Sequence, residues 1–127
     1  MRLLCLFILI SGLSCSSNTA NGQNKLAPDD FEAMLKNDST IQLVDVRTPG
    51  ELQSGYIAGA LNLNFHDADF SKKISQLDKN RPVMVYCAVG GRSGNAASQL
   101  SKMGFAMVYD LKGGMNAWKS AGKAVKN

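Results

Sequence analysis

The sequence predicts an α/β fold with a central parallel sheet and helices on both faces. Three observations carry this. Short β-rich runs alternate with segments of helical spacing. The most β-rich run, Val83 to Tyr86, is apolar without alternation, as expected of a strand buried on both faces. Turn residues such as Pro49-Gly50, Arg81-Pro82 and Gly113-Gly114 separate the segments. The chain has 127 residues, of which 45% are hydrophobic and 19% charged, enough for one domain whose core needs no metal or disulfide staple.

Pro28, followed by Asp29, Asp30 and Glu32, opens a helix, because proline fits the first helical position and early acids suit the positive helix end. Phe31, Met34 and Leu35 share one face of it, and Asn37-Asp38-Ser39 ends it. Ile41 to Val46 reads as a strand, Pro49-Gly50 as a turn, Glu51 to Gln53 as a short helix and Ala60 to Leu63 as a short strand. A helix is expected around Asp69 to Leu77, with Phe70, Ile74 and Leu77 at helical spacing. After the Val83 strand, Gly91 or Arg92 starts a helix facing inward through Ala96, Leu100 and Met103 and capped by Gly104. Ala106 to Leu111 is the next strand, and Gly113-Gly114 precedes a last short helix with Ala117 and Trp118, the latter expected in the core.

The first residues read as an address. Arg2, the apolar run Leu3 to Ile10 and the small residues leading to Cys15 have the layout of a secretory signal, and the run is too short to span a bilayer. Cys15 directly after it resembles a bacterial lipoprotein signal, in which the cysteine carries lipid as the first residue of the mature chain. Leu13 stands one place later than that pattern prefers, and a signal cleaved nearby without lipid is the alternative. Residues 1–15 are thus expected to be the signal, the polar residues 16–25 a flexible tether, and 26–127 the domain, exported to the cell envelope and facing the periplasm.

A net charge of +4, spread so that Lys72-Lys73 is the longest basic run, argues against nucleic-acid binding. Of the three cysteines, Cys5 and Cys15 fall in or at the end of the signal, which leaves the domain one thiol, Cys87. His66, the sole histidine, has no metal-ligand spacing around it and is expected on a surface loop.

Chemistry concentrates in Cys87-Ala88-Val89-Gly90-Gly91-Arg92-Ser93. A cysteine at the carboxyl end of a buried strand stands where α/β folds place ligand sites. The small residues after it allow the loop to curl around the sulfur with its amides inward, at a positive helix end, which favours thiolate over thiol. Gly90 and Gly91 are expected to supply unusual backbone angles. Arg92 can hold the loop or grip an anion with its planar fork. Asp45, Arg47 and Glu51 are expected to be structural, Arg47 pairing with Glu51 and Asp45 bonding loop amides.

This loop pattern resembles the active-site loop of rhodanese-like sulfurtransferases. Asp45-Val46-Arg47 with Glu51, Gly55-Tyr56-Ile57 and Gly59-Ala60-Leu61-Asn62 resembles an earlier signature of that family, with Tyr56 where histidine is common. Leu111, Gly113-Gly114 and Trp118 resemble its closing signature, so the resemblance runs from about Leu26 to Ala121. It implies a rhodanese-like fold and a catalytic Cys87 that accepts a sulfane sulfur as a persulfide. Ala88, Val89, Gly90, Gly91 and Ser93 would cradle it, and Arg92 would help to stabilise the anion. Thiosulfate or another persulfide would be the donor and a thiol or thioredoxin-like protein the acceptor, with no cofactor and no metal.

Three alternatives stand beside this. A Cys-dependent phosphatase or arsenate reductase of related fold would use a loop one residue longer than the four residues Ala88 to Gly91. A non-catalytic rhodanese-like binding module is disfavoured by the presence of Cys87, Gly90 and Arg92 together. A periplasmic thiol partner of another redox protein is also compatible with a lone thiol.

Overall fold

The computed structural model describes residues 24–127. Cys5, Cys15, the expected signal and most of the expected tether lie outside them. The elements run β1 (Asn24–Leu26), α1 (Pro28–Asn37), β2 (Gln42–Asp45), a 3-10 helix (Pro49–Ser54), β3 (Leu61–Asn62), α2 (Phe70–Ser75), β4 (Val83–Tyr86), α3 (Gly91–Lys102), β5 (Val108–Leu111) and α4 (Gly114–Ser120). The five strands form one sheet in the order β1-β5-β4-β2-β3, and every pairing is parallel. This is the expected α/β class.

Two core clusters lie on opposite faces of the sheet. Val83, Val85 and Cys87 of β4 and its end point to one face, where they meet Phe70 and Ile74 of α2 and Ala96, Ala97 and Leu100 of α3. Met84 and Tyr86 point to the other face, against Phe31 of α1 and Met115 and Trp118 of α4. Strand β4 is therefore buried on both sides, which is why its sequence is continuously apolar. Proline opens α1, Asp29 and Asp30 fill its first turn, and Met34 and Leu35 flank the buried Phe31. Trp118 stands edge-on to Phe31 and donates its ring N–H to the Ala124 carbonyl at 2.9 Å.

Strand β1 is absent from the sequence expectation. The sequence places Asn24 and Lys25 in the tether, yet both pair with β5, opposite Tyr109 and Asp110. Asn24-Lys25-Leu26 carries no β-branched or aromatic residue, so the pairing reflects an available sheet edge and not local propensity. The tail is also tied down. Lys123 bridges Asp29 at 2.7 Å and Glu32 at 3.1 Å, and Lys126 pairs antiparallel with Tyr56. Among the described residues no helix is long and apolar enough to cross a membrane.

Because all strands run one way, the carboxyl ends of β2, β4 and β5 meet at one edge of the sheet. The segments 46–54, 87–93 and 112–116 follow them there.

Candidate active site

Cys87 leaves the end of β4 and is 1% exposed. The chain then turns outward to Val89, which is 65% exposed, and returns at Gly90 to enter α3. Gly90 has φ 115°, a left-handed value that side chains resist, and in this conformation its amide donates to Cys87 Sγ at 3.0 Å. Gly91 does not share that role: its φ is not positive, and a Cβ added there would meet nothing within 4 Å. The expectation of unusual angles holds for Gly90 and fails for Gly91, which simply begins the helix.

Ser93, buried in the first turn of α3, places its Oγ 3.3 Å from Cys87 Sγ and 3.4 Å from the Gly90 carbonyl. Burial opposes ionisation of Cys87 and is the largest single influence on it. The Ser93 hydroxyl, then the amides of Ser93, Gly90 and Val89, favour the thiolate and together outweigh burial, so the thiol ionises below its ordinary range. Val89 and Ser93 thus take part in the cradle through their backbones, as the start of an α-helix permits.

The loop is held from two sides. On one, Arg92 meets the Glu51 carboxylate at two points, Nη1 to Oε1 at 2.7 Å and Nη2 to Oε2 at 2.9 Å. Glu51 is itself set by a capping box with Thr48, whose amide and hydroxyl donate to Oε1 at 3.2 and 3.1 Å. Arg92 is the first cause of a Glu51 carboxyl pKa lowered to about 2, against burial, which raises it. The Arg92 fork is thus committed to Glu51, in the loop-holding role of the two expected for it.

On the other side, α4 docks against the loop backbone. The Met115 amide donates to the Cys87 carbonyl at 2.8 Å and the Asn116 amide to the Ala88 carbonyl at 3.1 Å. The contact is close enough that a Cβ on Gly114 would lie 2.5 Å from the Cys87 oxygen.

The expected Arg47–Glu51 pair does not form between side chains. Arg47 turns back on Asp45, with Nη2 to Oδ2 at 2.7 Å and Nε to Oδ1 at 3.0 Å, and its amide also donates to Oδ1 at 2.9 Å. It reaches Glu51 at the backbone carbonyl alone, at 3.3 Å, and the Gly55 carbonyl at 2.9 Å. The reason is geometric. Asp45 is buried at the end of β2 and must be satisfied locally, while Thr48 and Arg92 already claim the Glu51 carboxylate. Asn62 ties the same turn by donating to the Asp45 and Arg47 carbonyls at 3.0 and 2.8 Å. His66 lies exposed on a loop, and among the described residues no group of side chains could hold a metal ion.

The sequence reading missed three features. Arg92 and Glu51 are far apart in sequence, and nothing local signals their pairing. The docking of Gly114 on Cys87 shows in the sequence only as a Gly-Gly pair. Asp110 on β5 is fully buried, and no donor reaches either of its carboxyl oxygens in hydrogen-bond geometry. Its signal was available: a charged residue inside an otherwise apolar strand.

Comparison with known proteins points to the same fold. The rhodanese-like domain family matches residues 27–121. A sulfurtransferase of Allochromatium vinosum is 34% identical over 99 residues, covering 78% of this chain and 91% of its own. The thiosulfate sulfurtransferase GlpE of Shewanella oneidensis is 42% identical over 82 residues, covering 65% of this chain and 79% of its own. Among solved structures, a rhodanese-related protein of Thermoplasma volcanium superposes with a TM-score of 0.72 at 29% identity, covering 81% of this chain and 97% of its own. Matched over residues 27–121 and 34% identical to a sulfurtransferase over most of both chains, this chain belongs to the rhodanese-like domain family.

Proposed function

We propose that the protein is a sulfurtransferase that carries sulfane sulfur as a persulfide on Cys87. The observation behind this is the sulfur's setting: Sγ is held by the Gly90 amide at 3.0 Å and the Ser93 hydroxyl at 3.3 Å, in a loop with four residues between Cys87 and Arg92. The Cys87 thiolate attacks the outer sulfur of thiosulfate. A new S–S bond forms, the S–S bond of thiosulfate breaks, and its electron pair leaves with sulfite. The persulfide carries the negative charge on its outer sulfur, where amides at the start of α3 stabilise it. A thiolate or cyanide then attacks that sulfur and returns Cys87 as thiolate. Arg92 serves by holding the loop on Glu51. A small cradle of amides fits one sulfur better than a tetrahedral oxyanion, which ranks sulfur transfer above phosphatase chemistry.

The test is the intact mass of the protein after incubation with thiosulfate or a small persulfide. One added sulfur atom on Cys87, removable by cyanide, is expected. No adduct from either donor on correctly folded protein rejects the reading. Cys87→Ser should lose transfer and keep the fold. We also propose, from the residues up to Cys15, that the chain is exported, lipid-anchored and facing the periplasm, with a thiol or thioredoxin-like protein as acceptor.

A further inference from the structure

Glu51 grips Arg92 and so braces the Cys87 loop, and the segment that carries Glu51 is itself held from outside. Lys119, in α4, donates to the Ser54 carbonyl at the end of the 3-10 helix at 2.7 Å. Tyr56 and Lys126 exchange backbone bonds, the Tyr56 amide donating at 2.9 Å and the Lys126 amide at 2.8 Å. Gly55 lies against the same residues: a Cβ added there would stand 3.4 Å from Val125 and from Asn127 Oδ1. The chain after α4 is fixed in turn by Lys123, which bridges Asp29 and Glu32 of α1. Helix α4 thus serves the loop at both ends. Its first turn docks on the Cys87 and Ala88 carbonyls, and its last turn and the residues beyond hold the segment that bears Glu51.

We propose that residues 123–126 are a positioning strap for the active site, setting where Glu51 stands and, through the Glu51–Arg92 pair, the shape of the Cys87 loop. The inference rests on Cys87 as the reacting sulfur. The 3-10 helix has no buried residue, so packing alone does not fix its place. Its capping box with Thr48 is local and moves with it. Arg47 fastens its inner side, at the Glu51 and Gly55 carbonyls. The outer side is fastened by Lys119 and by the Tyr56–Lys126 bridge. A displacement of Glu51 reaches Arg92 directly, because a carboxylate and a guanidinium joined at two points are directional in both bonds. Arg92 stands in the first turn of α3, next to Ser93 and two residues after Gly90, which both contact the sulfur. A reacting group misplaced by about 1 Å can lose on the order of 100-fold in rate, so a strap far from the sulfur can still govern its chemistry.

The test uses two pairs of substitutions in the full chain. Lys126→Pro removes the amide that bonds the Tyr56 carbonyl, and Lys126→Ala keeps it. Lys123→Met removes the bridges to α1, and Lys123→Arg keeps a cation there. Lys126→Pro and Lys123→Met should slow sulfur loading of Cys87 from thiosulfate by roughly three-fold or more, while their partners load as wild type does. The same two should move the pH midpoint of Cys87 alkylation by iodoacetamide upward, because the amides that favour the thiolate lie in the loop. In a Glu51→Ala background, where the brace is already cut, neither should have a further effect. Additive losses there would mean that the strap acts by another route, and the proposal would fail. It also fails if the variants only melt earlier, with loading and titration unchanged in the folded protein. Should Lys126→Pro not fold, the Lys123 pair decides. Alkylation needs no sulfur donor, so the two readings separate. A wild type that takes up no sulfur rejects the sulfurtransferase, with the strap still judged by the titration. Strap variants that match a sulfur-loading wild type reject the strap alone.

Discussion

Gly114 lies against the backbone of Cys87, so closely that a Cβ on it would stand 2.5 Å from the Cys87 carbonyl oxygen and 2.6 Å from the Ala88 carbonyl carbon. Its φ of 59° is also left-handed. Gly114→Ala must therefore push α4 away from the loop or strain both, and it weakens the Met115 and Asn116 amide bonds to the Cys87 and Ala88 carbonyls. Strain and lost bonds together should cost about 2–4 kcal/mol and disturb sulfur loading. Gly91→Ala is the control, in open space at the helix start, and should gain up to about 1 kcal/mol. Thermal melts of the two variants check the contrast, and equal destabilisation would contradict the packing argument.

The Glu51–Arg92 pair predicts a pH dependence with a definite sign. The folded-state carboxyl pKa is lowered from 4.5 to about 2, so its contribution to stability is fully present above pH 4.5 and is lost as pH falls towards 2. The stability difference between wild type and Glu51→Gln should be flat above that window and shrink through it. Both side chains are partly exposed, which keeps the energy modest. Arg92→Lys keeps the charge and loses the two-point grip, so sulfur transfer should slow by roughly three- to ten-fold. An unchanged rate would mean that the amides and α4 suffice to hold the loop.

The cradle around Cys87 predicts a thiol that ionises below 9.0. Alkylation of Cys87 should therefore reach its plateau at lower pH than an ordinary thiol. Ser93→Ala should move that plateau upward, because the Ser93 hydroxyl is the largest of the influences that favour the thiolate. The same small cradle predicts negligible Cys87-dependent turnover of an aryl phosphate. A phosphatase rate rivalling sulfur transfer would overturn the size argument.

Asp45 and Arg47 are buried at 0% and 2% exposure, and each satisfies the other. Arg47→Met leaves Asp45 without its main partner in a low-dielectric site, and should cost about 3–5 kcal/mol by denaturant unfolding. Its effect on the Cys87 titration should be small, because the pair lies at and just beyond the end of β2 and contacts neither the sulfur nor Ser93 by hydrogen bonds. A mild effect on stability would show that water or a neighbour replaces the guanidinium.

How much of this is legible in the sequence depends on the range of the interaction. Strand β4, the helix starting at Gly91 and the loop between them can be read locally, because a doubly buried strand is apolar throughout and a sulfur cradle needs small residues. Pro28 and the acids behind it mark α1 for the same local reason. Strand β1 is not legible, since its three residues are ordered by the edge of β5. The partners of Arg92 and Arg47 are not legible either. Arg47 has Asp45 and Glu51 near it along the chain and Arg92 has no acid nearby, so the choice falls to the capping of Glu51 by Thr48 and the burial of Asp45. The position of Asp110 is visible in the sequence, but the lack of a hydrogen-bond partner for its carboxyl appears only in the fold.

Membrane attachment through Cys15, which lies outside the described residues, is expected from the sequence alone. An apolar run, small residues and a cysteine precede a polar stretch, and no described helix could span a bilayer. One acyl chain gives marginal membrane binding, so stable anchoring needs at least two lipid signals, as the bacterial lipoprotein pathway provides. Expressed in a bacterium, the protein should sediment with membranes and enter detergent. Cys15→Ala should release soluble protein or block processing. An ordinary cleaved signal would leave both forms soluble in the periplasm, and a wild-type mature N-terminus without lipid would reject the anchor. Cys87 should keep its chemistry in either case, because the loop that holds it is braced by Glu51 and by α4, all among the described residues.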